Sequence, residues 1–153
     1  MRSAYRTLAY VIAALVVVQS MSVVFALAGE SRWISEGGVM DKAVVEAQEF
    51  VFPEVLGFLI HGINGTILIP LAALIMLILS FFTKLPGAVK WAGLILLLVA
   101  VQANLGFFSH SMPILGALHG LVALLLLGAA VYAGLRVRDT AAAAGEPRHV
   151  TTS

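Results

Sequence analysis

Cysteine is absent from the 153 residues. That excludes disulfides, thiolate-held metals, iron–sulfur clusters and thiol nucleophiles, and leaves the redox compartment undetermined. Charge is scarce as well. Asp, Glu, Lys and Arg together make up 11% of the chain, against about 25% in an ordinary soluble domain. The net charge is +1 and the basic residues gather on no one face, so nucleic acid is not an implied partner. What fills the chain instead is apolar: 61% hydrophobic residues and a mean hydropathy of +1.03. A soluble globule of this size has too little interior to hide that much apolar surface. The lipid bilayer is the implied partner, and no soluble domain fits outside the apolar runs.

A spanning helix needs about 20 mostly apolar residues. Four runs qualify, at about residues 8–28, 53–82, 89–108 and 113–135. Pro53 and Pro113 each stand where a first helical turn begins, a position that tolerates proline. Pro70, in the middle of the second run, predicts a kink that releases the carbonyl of Thr66. The first run has a rival reading. Arg2 and Arg6 precede it and it closes on Ala26-Leu27-Ala28-Gly29, as a signal peptide does. At about 20 residues it exceeds the usual signal-peptide core, so a retained helix is expected.

The fold class expected is therefore all-α: a transmembrane four-helix up-down bundle over residues 1–138, with a disordered cytoplasmic tail at 139–153. Arg2, Arg6, Lys84, Lys90, Arg136, Arg138 and Arg148 fall on one side of the bilayer, and only Arg32 and Lys42 on the other. Basic loops stay cytoplasmic, so both termini are expected there. The expected location is a bacterial cytoplasmic (inner) membrane. The acidic external loop at 29–52 has apolar residues at 39, 43, 44, 47, 50 and 51. That spacing predicts a short amphipathic helix at the interface.

Helices two and four share a local pattern. Leu56-Gly57-Phe58-Leu59-Ile60-His61-Gly62 stands against Leu115-Gly116-Ala117-Leu118-His119-Gly120. Helices one and three share a weaker one, Val18-Gln19 against Val101-Gln102. Two related hairpins about a pseudo-two-fold would account for both. Each histidine lies six to eight residues past the proline that opens its helix, roughly 9–12 Å into the bilayer at 1.5 Å per residue. Diagonal helices of an up-down bundle run the same way, so the two rings can meet at its centre.

Two readings of the pair stand. Intramembrane histidines can bond neighbouring helices or handle protons. Alternatively they share a ligand, which the matched depth favours, because intramembrane ionisable groups are costly and mark function. Zinc is a poor ligand for this set: it wants four ligands, or three and a water, and the nearest carboxylate, Glu54, is two turns from His61. Haem iron needs only one or two axial imidazoles. Gly57, Gly62 and Gly65 beside His61, and Gly116, Ala117 and Gly120 beside His119, thin the helices for a flat macrocycle, or serve close helix packing. Gln19, Gln102 and Asn104 can bond a cofactor or each other. His110, in the external turn, can meet a haem propionate with Arg32 or Lys42, or simply be solvated.

The stretch Gln102-Ala103-Asn104-Leu105-Gly106, a short turn, and Pro113 to His119 resembles the third and fourth helices of one half of a haem A synthase. That family carries a Gln-x-x-Leu-Gly signature ahead of a histidine early in the next helix. The resemblance covers about residues 5–135 and extends to small actinobacterial four-helix membrane proteins of unknown function. It implies four helices holding a haem-ligating pair, here His61 and His119. The chain departs from the family at three points. The catalytic glutamate one turn before the helix-two histidine is missing, Gly57 and Phe58 standing there. The cysteine pair of many bacterial members is missing, and so is the second half, whose two-fold a homodimer could restore. Only the haem ligands are carried over, not the oxygenase activity.

The expectation is then a bis-histidine b-type haem protein with one haem b per chain. It would transfer electrons or hold haem; whether it is an enzyme is left open, with the reading leaning toward an electron-transfer protein rather than a haem oxygenase or synthase. Metal ligands are His61 and His119; Gly57, Gly62, Gly116, Gly120, Gln102 and His110 surround the cofactor. An accessory subunit of a larger membrane complex is the alternative, and a haem-modifying enzyme the third reading.

Overall fold

The computed structural model describes residues 1–47 and 49–145, with side chains to residue 137. A backbone in hydrocarbon must satisfy its own hydrogen bonds, and helices do so within one segment. Helix α1 spans Arg2–Ser35, α2 spans Lys42–Ala47, α3 spans Pro53–Ser80, α4 spans Ala88–Phe108 and α5 spans Pro113–Gly145. Four of these, all but α2, are long and apolar enough to cross a membrane. No strand occurs among the described residues.

Three boundaries differ from those read in the sequence. Helix α1 runs on through Glu30, Arg32 and Trp33 to Ser35 and so absorbs the start of the expected external loop. The amphipathic helix expected across 39–52 shrinks to the six residues of α2, none of them buried. Asp41 Oδ1 caps it by accepting from the Val44 amide at 2.9 Å. The apolar contact of this loop comes instead from Phe52, buried against Trp33 at 5.7 Å between ring centroids. Helix α5 continues to Gly145, through the first part of the stretch read as a disordered tail. Ala141 to Ala144 are the strongest of helix formers. Residues 146–153, His149 among them, lie outside the described residues.

Helix α1 packs on α3 and α5, and α4 packs on the same two helices. The core lies at one end only. It consists of Tyr5 to Val16 of α1, Ile69 to Met76 of α3, Ala88 to Val99 of α4 and Leu126 to Val137 of α5. Alanines dominate it: Ala9, Ala13, Ala72, Ala73, Ala92, Ala130 and Ala133 are buried. Small residues let helix backbones approach, which is how helices associate where lipid removes the hydrophobic drive between them. The α3–α4 connection is clamped at this end. Arg2 Nε donates to Thr83 O at 3.3 Å, Tyr5 Oη to Ala88 O at 3.2 Å and Arg136 Nη2 to Pro86 O at 3.2 Å.

At the other end the packing changes. The segment Leu56–Ile63 of α3 packs on α1, while contact with α4 comes from the later segment Ile69–Ser80. Leu59, Ile60 and Ile63 of α3 are exposed, as are Leu118 and Leu121 of α5. The end that holds the buried cluster is called the closed end; the end at the starts of α3 and α5, which the cluster does not reach, is called the open end. Both histidines are in the half toward the open end.

Candidate functional site

Helix α3 is built in pieces. Pro53–Val55 form a 3-10 turn, Leu56–Ile63 are α-helical, Asn64–Leu68 form a π turn, and Ile69–Ser80 are α-helical again. The expected disturbance by Pro70 takes this form. Proline cannot donate to the carbonyl four residues back, and the chain widens by one residue ahead of it. The Thr66 hydroxyl donates to Gly62 O at 2.7 Å within the widened turn. Asn64 opens the π turn, only 2% exposed, and its Nδ2 donates to Leu15 O of α1 at 2.9 Å.

One turn earlier stands His61. Its Nδ1 lies 3.1 Å from the backbone oxygen of Gln19 on α1. His119 repeats the arrangement on α5, its Nδ1 at 2.9 Å from the backbone oxygen of Gln102 on α4. A carbonyl oxygen can only accept, so each ring donates from Nδ1. In the neutral imidazole that leaves Nε2 unprotonated, with a lone pair to offer. Bonding of this kind sets the tautomer and aim of ligating histidines in metal sites. The two rings face each other with centroids 6.1 Å apart and planes at 52°.

The weak sequence repeat thus has a physical content. Gln19 and Gln102 occupy corresponding places, and what each supplies is its main-chain carbonyl, not its amide. The side-chain oxygens Gln19 Oε1 and Gln102 Oε1 are buried without a partner among the described residues, as is Asn64 Oδ1. An unmet buried acceptor costs about 1–3 kcal/mol. Two of the three belong to the glutamines whose carbonyls hold the histidines, and the third lies one turn from His61.

The glycines divide by role. Gly57, read as flanking a cofactor, is buried instead in the α1–α3 contact: a Cβ there would strike Ser22 O and Ala26. Gly62 and Gly120 have nothing within 4 Å of a built Cβ, and Gly116 only Ser109 Cβ at 3.7 Å. Gly106, in the Gln-x-x-Leu-Gly stretch, was not singled out by the sequence, yet it makes room for the histidine. A Cβ there would lie 3.1 Å from His119 Cε1 and 3.2 Å from its Nδ1. Gly65 likewise seats the Gln19 amide.

Other candidates stand apart from the pair. His110 is exposed in the turn between α4 and α5, and Asn104 is exposed with its Nδ2 on Ala100 O at 2.8 Å. Arg32 holds Glu54 at 3.0 Å and Glu36 at 4.0 Å, and Lys42 holds Glu46 at 3.4 Å. Both external cations expected near a propionate therefore have carboxylate partners. Glu54 packs on Gly29 of α1 and is tied there by Arg32.

The described residues contain no group of three or more His, Asp or Glu side chains that could hold a metal ion, which leaves a two-imidazole donor set. Haem fits that set. With a metal–nitrogen length of about 2.0–2.1 Å, an ion held end-on between two imidazoles sets their centroids roughly 6–6.5 Å apart. The observed spacing of 6.1 Å is in that range, and Gly62 and Gly120, both exposed, have nothing within 4 Å of a built Cβ. Set against protein-family profiles, curated proteins and solved structures, the chain matches none of them.

Proposed function

We propose that the chain is a small integral membrane cytochrome of b type, with one haem b per chain and His61 and His119 as its axial ligands. The observation that carries this is the facing pair, each Nδ1 engaged by a main-chain carbonyl and each Nε2 left to donate. Bound haem would supply one-electron chemistry between its ferric and ferrous states. Held by both imidazoles, it would be suited to electron transfer or haem holding rather than oxygen activation. The chain's part is to hold two neutral imidazoles in register, in the half of the bundle that its core leaves open.

The same proposal takes the four spans as alternating up and down in a bacterial inner membrane with both termini cytoplasmic. The basic residues support it, since Arg2, Lys84, Lys90 and Arg136 belong to segments joined by hydrogen bonds at one end. A haem-modifying activity is not favoured, because Glu54, the nearest carboxylate along α3, is occupied by Arg32.

An absorption spectrum decides. The full chain, expressed with adequate haem and purified in detergent, is expected to show sharp low-spin bands. They should vanish in the His61→Ala, His119→Ala double variant. Absence of haem in the wild-type chain, together with stable co-purification of a larger membrane complex, would replace the proposal with an accessory-subunit role.

A further inference from the structure

The three ion pairs among the described residues, Arg32–Glu36, Arg32–Glu54 and Lys42–Glu46, all lie at the open end. At the closed end Arg2 and Arg136 are engaged by backbone carbonyls. Arg6 has neither an ion pair nor a hydrogen bond among the described residues. It stands instead at the head of a shallow, largely open groove lined by Arg6, Thr7, Tyr10, Val11 and Ala14. These positions lie on the side of α1 turned away from its buried stripe of Tyr5, Ala9, Ile12, Ala13 and Val16. The groove therefore faces the surrounding bilayer.

Its lining changes with depth. Arg6 and Thr7 are nearest the charged end, the Tyr10 phenol is a turn further in, and Val11 and Ala14 make an apolar floor. From Arg6 to Ala14 the helix rises about 12 Å. A cation, two hydroxyls and then apolar surface follow the order of a lipid headgroup phosphate, its glycerol esters and an acyl chain. Helix α5 backs the arrangement. A Cβ at Gly134 would lie 2.8 Å from Tyr10 Cζ, so the missing side chain lets the phenol ring rest against the α5 backbone.

We propose that this groove binds one anionic phospholipid, with its phosphate at Arg6, Thr7 and Tyr10 and an acyl chain along Val11 and Ala14. Charge complementarity selects the occupant. Among the described residues the groove has a cation without a partner and no carboxylate in its lining, and it opens to a phase in which anionic headgroups are the available counterions. Free phosphate matches the head of the groove but leaves its apolar floor bare.

Native mass spectrometry of the full chain in micelles doped equally with phosphatidylglycerol and phosphatidylcholine tests this. One phosphatidylglycerol should be retained in preference. Arg6→Gln should lower retention about fivefold, Arg6→Lys should recover most of it, and Gly134→Ala, which displaces Tyr10, should also lower it. Lys42→Gln, at the other end, should leave it unchanged. Retention should persist in the His61→Ala, His119→Ala variant, which keeps this result separate from the haem reading. Equal retention of both lipids, or retention unmoved by Arg6→Gln, overturns the proposal. Ready displacement of the lipid by inorganic phosphate assigns the groove to free phosphate and overturns it too.

Discussion

His61 and His119 stand with ring centroids 6.1 Å apart, on helices α3 and α5. Each is held from a different helix, by a glutamine carbonyl at 3.1 Å on α1 and at 2.9 Å on α4. The pair is therefore a product of all four spans. On the proposed ligation, loss of either ring would leave a bound haem one protein ligand rather than none. His61→Ala and His119→Ala, taken singly, are each expected to convert a low-spin spectrum to a broader high-spin one that responds to carbon monoxide. A single variant whose spectrum stays low-spin and unresponsive would remove that histidine from the ligand set.

Gly106 should matter more than its neighbours suggest. Its substitution by Ala places a methyl at 3.1 Å from His119 Cε1, so the ring, held by its bond to Gln102 O, must give by a few tenths of an ångström. Overpacking of this kind costs about 1–3 kcal/mol. Haem affinity, measured by titration of the apo chain, should fall accordingly. Gly62→Ala and Gly120→Ala meet nothing within 4 Å, and Ala is the better helix former, so the thermal midpoint of the apo chain should not fall. A drop in haem affinity in those two alone would show that the macrocycle lies against them.

Asn64 permits a comparison of charge with polarity. Asn64→Leu forfeits one hydrogen bond to Leu15 O but also removes an oxygen that has no partner. The net change in stability should stay within about 1 kcal/mol. Asn64→Asp instead puts an ionisable carboxyl where the side chain is 2% exposed. The cost should be several-fold larger, about 3 kcal/mol or more, from desolvation. Thermal melts in detergent would read both, and equal midpoints would contradict the burial of this side chain.

The ion pair between Arg32 and Glu54 joins α1 to the start of α3 at 3.0 Å. The Arg32 side chain is 55% exposed, so screening limits the pair to about 0.5–1 kcal/mol. Glu54→Gln should lower the melting temperature slightly and leave any haem spectrum unchanged. Gly29→Ala should be more damaging, because a Cβ there would collide with the Glu54 side chain. Altered haem products that disappear in Glu54→Gln would instead revive an enzymatic role.

A chain without cysteine suits thiol labelling with no background. Gly37→Cys and His110→Cys should react with an impermeant maleimide from the external face of intact cells. Lys84→Cys should react only after the membrane is opened. Labelling of all three from one side would sink the up-down arrangement.

The legible part of this protein was whatever lipid imposes on composition. Apolar run length marked the four spanning helices to within a few residues at most ends, and Pro53 and Pro113 marked two starts, because a bilayer dictates length and proline tolerates the first turn. The histidines stood out because ionisable residues are rare at that depth. Helix extension through Ser35 was hidden by the charge of Glu30 and Arg32, which hydropathy reads as loop although such residues propagate helices well. The roles of the glycines were hidden too. A missing Cβ looks the same in sequence whether it admits a neighbouring helix, as at Gly57, or a histidine ring, as at Gly106. The sequence by itself placed His61 and His119 at similar distances past the prolines that open their helices. Only the tertiary structure decided that the rings face each other and that main-chain carbonyls hold them. Helix rotation and a backbone acceptor on another span are set by packing among four helices, and neither leaves a signature in residue type.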